Sequence, residues 1–124
     1  MLKAPRRSLT SPLCSPQTDL NIGAVNNNFD YATRNGSRSI HVWSSTDAVN
    51  WSADNLVQVM PDSTNAGMVW APSAQWDPDT SSYAVFWSSR VYAADDTQRT
   101  GTGSNDMIYY SHTTDFVNFD TPQI

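Results

Sequence analysis

The chain has 124 residues and a formal net charge of −5, enough length for one ordinary domain with a core. Its seven Lys and Arg residues form no cluster beyond Arg6-Arg7, which excludes the basic face that nucleic-acid phosphates require and leaves neutral sugars as compatible partners. No segment is long and apolar enough to cross a membrane as a helix, and the aromatic, Ser-, Thr-, Asn- and Asp-rich composition suits short strands joined by polar loops.

In chain order, residues 1–17 are rich in Ser and Pro without apolar periodicity and read as a poorly ordered lead-in, with a structured domain over residues 18–124. The basic N-terminus has no apolar stretch after it and so does not read as a secretory signal peptide. Thr18 to Ile22 alternates polar and apolar residues as a half-buried strand does, and Arg34-Asn35-Gly36-Ser37 supplies a hairpin-type turn signal. Ser39 to Ser45 is the next strand, with Ile40, Val42 and Ser44 on one face; Thr46 to Trp51 is a compact loop, and Leu56 to Met60 a further short strand. Gly67 to Ser89 organises the rest. Met68, Val69 and Trp70 lead to Pro72, Ala74 and Trp76 enter the turn formers Asp77 to Ser82, and Tyr83 to Trp87 is an apolar run of strand length. Arg90 to Asp106 reads as a long loop at the rim of the fold, and Met107 to Ser111 as a strand.

An internal repeat accompanies this pattern. SIHVWSSTDAVNW, from Ser39 to Trp51, aligns without gaps to MIYYSHTTDFVNF, from Met107 to Phe119, at an offset of 115 − 47 = 68 residues. Asp47 and Asp115 are placed to accept backbone N–H groups in the turn, Asn50 and Asn118 follow at the same spacing, and Trp51 and Phe119 to fill the gap between repeats. A strand-plus-turn unit at fixed period is the signature of stacked sheets that bury faces against one another. The fold expected is therefore all-β, a β-propeller fragment of about two blades, too few to close a ring of roughly 4–8.

With TDLNIG (Thr18 to Gly23), ATRNGSRSIHVW (Ala32 to Trp43), STDAVNW (Ser45 to Trp51), GMVWAPSAQWDP (Gly67 to Pro78) and YAVFWSS (Tyr83 to Ser89), the chain resembles glycoside hydrolase family 43 and its arabinanase-like relatives. The resemblance implies a five-bladed propeller that hydrolyses arabinose- or xylose-containing plant polysaccharides with inversion, without a cofactor. Inversion needs a general-base carboxylate and a general-acid carboxyl about 6.5–9.5 Å apart. The family takes its base, an aspartate, from the first strand, and an acid-tuning aspartate and the acid, a glutamate, from later blades. The residues before Thr18 hold no matching aspartate, and all 12 acidic residues are aspartates, so no catalytic residue is assigned and the isolated chain is expected to be inactive. Where relatives often carry an acidic residue or His after the W-A-P proline, this chain has Ser73.

The candidate sugar contacts are Trp70, beside the W-A-P turn, Ser73 and Asp19. Trp76 and Trp87 read as packing residues, and Asp77 and Asp79 as turn formers rather than a catalytic pair. Asp95-Asp96 falls short of the about 6–8 oxygens that Ca²⁺ needs, and neither His41 nor His112 sits in a zinc-type spacing, so no metal site is assigned. The lone Cys14 forms no internal disulfide, and two N-glycosylation sequons, at Asn35 and Asn50, leave the compartment open. Two other readings compete: a non-catalytic carbohydrate-binding module using Trp70 and Ser73, and a truncated gene product whose unpaired blade edges invite self-association.

Overall fold

The computed structural model describes residues 13–124. Among the described residues six strands form two three-stranded antiparallel sheets. In the first, β1 (Leu13–Thr18) and β3 (Asn55–Gln58) flank β2 (Ser39–Ser45); in the second, β4 (Trp70–Asp77), β5 (Ser82–Ser89) and β6 (Met107–Thr113) follow in order. Helical content among the described residues is confined to α1 (Phe29–Asn35) and two single 3₁₀ turns. The expected all-β, blade-like architecture is thus present as two neighbouring sheets.

β1 takes in Leu13 to Gln17, the end of the stretch read as a poorly ordered lead-in, whose residues 1–12 lie outside the described residues. It pairs with β2 from Leu13 opposite Ser45 to Thr18 opposite Ile40. Pro16 is compatible with this because β1 borders the described sheet, where a missing N–H breaks no second ladder. A strand carrying Cys, Ser, Pro and Gln shows no apolar alternation, and that hid it.

Of the strand expected from Thr18 to Ile22 only Thr18 is in a strand, as the end of β1; Asp19 to Asn21 are irregular, and Ile22 opens a 3₁₀ turn, Ile22–Val25. The Asn21 side chain accepts the Ala24 N–H at 3.2 Å, and Asn26 closes the turn in the left-handed region at φ 53°. Local capping by asparagine outweighs a five-residue alternation. The hairpin signal at Arg34 to Ser37 is the end of α1, capped at its start by Asn28, which accepts the Tyr31 N–H at 3.0 Å. Gly36 is required there by close approach. A Cβ would strike the Ala32 carbonyl, while the Gly36 N–H donates to Gly67 O at 2.7 Å.

β2 and the central hairpin follow the sequence expectation, whereas β3 ends two residues early. Val59 and Met60 leave the ladder, both N–H groups donating to Arg38 O, and turn their side chains into the core. Ile40, Val42, Val59, Met60, Ala66, Val69, Val85, Trp87 and Phe116 make that core between the sheets. The long loop is tied down by hydrogen bonds. Tyr92 is buried and donates its hydroxyl to Thr33 O at 3.2 Å, Arg34 donates to Arg99 O and Gly101 O, and the Asp96 carboxylate accepts the Thr100 and Gly101 N–H groups.

The repeat survives in three dimensions. Asp47 Oδ1 accepts the Val49 and Asn50 N–H groups at 2.9 and 2.8 Å, and Asp115 Oδ1 accepts those of Val117 and Asn118 at 2.8 Å each. Asn50 and Asn118 each donate a side-chain amide to the same aspartate's Oδ2. These donors hold both carboxyls well below the usual carboxylate range. Val42 pairs with Asn55, and 68 residues on Tyr110 pairs with Gln123. By ladder position β2 therefore corresponds to β6 and β1 to β5.

Trp51 and Phe119 diverge. Phe119 packs edge-on against Phe116 at 6.4 Å and against the core. Trp51, expected to fill an inter-repeat gap, is 44% exposed: Ala48 stands where Phe116 does and offers no ring to meet it.

Candidate functional site

The first strands of the two sheets, β1 and β4, run against each other. At their junction the Ala71 N–H donates to the Thr18 hydroxyl at 2.8 Å. This bond ties Thr18, the residue before Asp19, to the Trp70-Ala71-Pro72-Ser73 stretch. Ladder register is broken between Trp70 and Ser73, and Ala71 lies at φ 51°. A non-glycine residue in the left-handed region costs about 1–2 kcal/mol, and bulges of this kind re-aim side chains. Of the three predicted sugar contacts, Trp70 and Ser73 flank the bulge, and Asp19 follows in sequence the Thr18 that bonds it.

Each has a distinct environment. Trp70 is half-buried, its ring edge-on to Phe29 at 6.4 Å, and its indole Nε1–H is buried with no hydrogen-bond partner among the described residues. Ser73 is exposed on β4, opposite Phe86. Asp19 borders a recess of about 150 Å³ together with Leu20, Asn21, Tyr31, Asn35 and Ser37.

Asp19 is also held from behind. Its Oδ1 lies 3.1 Å from His41 Nε2, and His41 Nδ1 lies 2.8 Å from Asp54 Oδ2. Hydrogen bonding to Asp54 first, and to Asp19 after it, raises the His41 pKa against the opposing effect of burial. His41 therefore fixes the orientation of Asp19. No sequence signal reveals this, since the three residues lie on separate segments.

The other candidates fall elsewhere. Trp87 is fully buried, and Trp76 stands partly exposed at the far end of β4, edge-on to Tyr83 at 5.1 Å. Asp77 accepts the Asp79 N–H and the Thr80 hydroxyl, so it closes the β4–β5 turn, and its pKa is lowered chiefly by those bonds. His112 lies 3.2 Å from Asp77. Among the described residues no group of three His, Cys, Asp or Glu side chains is placed to hold a metal ion. The junction can accept and donate hydrogen bonds to hydroxyls and present an indole beside them. It lacks an acid and base pair.

The two three-stranded sheets are those of an all-β, blade-like protein, and comparison with known proteins gives the family. Residues 15–124 match the model of a probable glycosyl hydrolase domain related to glycosyl hydrolase family 43, and the chain belongs to that family. It is 43% identical over 100 residues to an alpha-L-arabinofuranosidase of Bifidobacterium longum subsp. longum, an alignment covering 73% of this chain and 9% of that protein. The chain thus spans about a tenth of its relative's length. No solved structure matches.

Proposed function

We propose that these residues form part of the substrate-binding wall of an inverting glycoside hydrolase acting on arabinose- or xylose-containing plant polysaccharide. The observation that carries the reading is the bulge at Ala71, flanked by Trp70 and Ser73 and held by the hydroxyl of Thr18, the residue before Asp19. Backbone strain of this kind persists where the surrounding structure over-determines it, and it clusters at binding sites. Trp70 supplies an apolar face for the C–H side of a sugar ring, while Asp19 and Ser73 supply partners for its hydroxyls. The family membership and the arabinofuranosidase relative support the sugar class.

Proton transfer is assigned to carboxyl groups outside these 124 residues, which contain no glutamate. The 124-residue chain is expected to bind arabinan or arabinoxylan fragments, less tightly after Trp70→Ala, and to release no reducing sugar. Release by purified chain would defeat the division of roles, and absence of any binding would defeat the wall itself. Reading the coding sequence on both sides separates this from a stand-alone binding module. An aspartate-bearing strand before and a glutamate-bearing blade after support the hydrolase; their absence favours the module.

A further inference from the structure

The connections from β1 to β2, β3 to β4 and β5 to β6, residues 19–38, 59–69 and 90–106, meet at the end of the sheets where β4 begins with Trp70. Every contact there is between described elements at the sheet ends, so the cluster does not depend on what packs against the outer faces. Its centre is a reciprocal clasp of two arginines. The Arg34 guanidinium donates to Arg99 O at 2.9 Å and to Gly101 O at 2.6 Å, and Arg99 Nε donates back to Arg34 O. Arg34 also lies over the Tyr92 ring, 5.6 Å from its centroid. Arg99 stands at φ 50°, and left-handed strain of this kind persists where the surrounding bonds over-determine it. Its Nη1 reaches Asn65 Oδ1 at 3.2 Å, while the Asn65 amide donates to Ala93 O and Asp96 O.

Both ends of the clasp lead to Trp70. On one side α1 carries Phe29, whose ring meets the Trp70 indole edge-on. A helix of seven residues with only Ala32 and Thr33 buried does not hold itself, since isolated helices shorter than about 12–15 residues are marginal in water. Its place is set by bonds to other segments: those of Arg34, that of the Thr33 carbonyl to the Tyr92 hydroxyl, and that of the Gly36 N–H to Gly67 O. On the other side Asn65 opens the segment that runs through Gly67 and Val69 into Trp70, and the Val69 N–H donates to Ser37 O at 2.8 Å. Hydrogen bonds this close to solvent add little net stability, because water replaces them in the unfolded chain. Their weight falls on order: a wall already held in its bound geometry loses less entropy when a ligand arrives.

We propose that Arg34 and Arg99 are positioning residues of the substrate wall: their clasp fixes α1, so that Phe29 holds the Trp70 indole in its sugar-receiving orientation. That the indole receives a sugar rests on the function proposed above; that the clasp sets its orientation does not. The test follows the indole N–H signals of the chain's five tryptophans by NMR, assigned by single Trp→Phe substitutions, first without sugar and then with arabino- and xylo-oligosaccharides. Without sugar, Arg34→Gln and Arg99→Gln should move the Trp70 signal in the direction that Phe29→Leu moves it, and leave that of Trp87, in the core, in place. Arg90→Gln cuts the 2.9 Å pair with Asp106 in the same loop but no bond to α1, and should leave Trp70 unmoved. With sugar, the Trp70 signal of the native chain should shift saturably, and affinity should fall roughly three- to tenfold in both clasp variants. A Trp70 signal unmoved in Arg34→Gln and Arg99→Gln, or moved equally by Arg90→Gln, would overturn the proposal, as would unchanged sugar affinity. Should one clasp substitution unfold the chain, collapsing all five signals, the other decides; collapse in both assigns the arginines to the fold and overturns the positioning role. Movement of Trp70 in the clasp variants, with no response of the native chain to millimolar sugar, would support the clasp and overturn the proposed function alone.

Discussion

Phe116 and Ala48 occupy the same place in the two Asp-centred turns, at φ 57° and φ 61°, each donating its N–H to the hydroxyl of the residue three before it. Their side chains differ in consequence. Phe116 is 2% exposed, its ring tilted against Tyr83 at 4.9 Å and edge-on to Phe119, whereas Ala48 is exposed. Phe116→Ala keeps the left-handed backbone and its strain but removes a buried ring and two aromatic contacts, for a loss of about 3–5 kcal/mol. Ala48→Gly removes about 1–2 kcal/mol of left-handed strain and gives back about 0.5–1 kcal/mol in unfolded-chain entropy, so it should be neutral to slightly stabilising. Urea unfolding followed by tryptophan fluorescence and circular dichroism measures both. Against a typical domain stability of about 5–15 kcal/mol, the first change moves the midpoint far and the second barely. A Phe116→Ala loss below about 1 kcal/mol, or an Ala48→Gly loss above it, would refute the assignment of turn and core roles.

Because the His41 pKa is raised in the folded chain, its stabilising contribution is fully present below the unfolded value of about 6.5 and is lost as pH rises through the folded value. Urea midpoints between pH 5.5 and 8.5 should therefore decline for the native chain and lose this component in His41→Gln; matching profiles would remove the linkage. Gly67→Ala should destabilise by about 1–3 kcal/mol or prevent folding, since a Cβ there lands on the Thr33 carbonyl and the Tyr92 ring. Thermal unfolding within a degree of the native chain would contradict that packing. Thr18→Val removes the acceptor of the Ala71 N–H and should cost about 0.5–1.5 kcal/mol, together with weaker sugar binding at the Trp70 signal. Unchanged binding would detach the bulge from the proposed function.

β2, the central hairpin and the Asp47 and Asp115 turns were legible because their signals are local. Alternation over seven or eight residues, a cluster of turn formers, and a carboxylate two residues before the N–H it accepts all act within a few bonds of chain. β1 was not legible, since a strand of Leu, Cys, Ser, Pro, Gln and Thr owes its conformation to the β2 edge it pairs with. α1 was hidden for the opposite reason: an Arg-Asn-Gly-Ser turn signature also describes a helix C-terminus, and only the Gly67 carbonyl, which meets the Gly36 N–H, distinguishes them.

The candidate site divides along the same line. Composition and motif order by themselves determined the β-rich class, the repeat, the family and the absence of a glutamate, because each is a property of residue identity and spacing. Tertiary structure alone decided that Thr18 would cap Ala71, that His41 would lie between Asp19 and Asp54, and that Arg34 and Arg99 would clasp one another. Those pairs come from separate strands and loops, and their side chains meet only after hydrophobic burial fixes the register and packing of two sheets, which no local preference encodes.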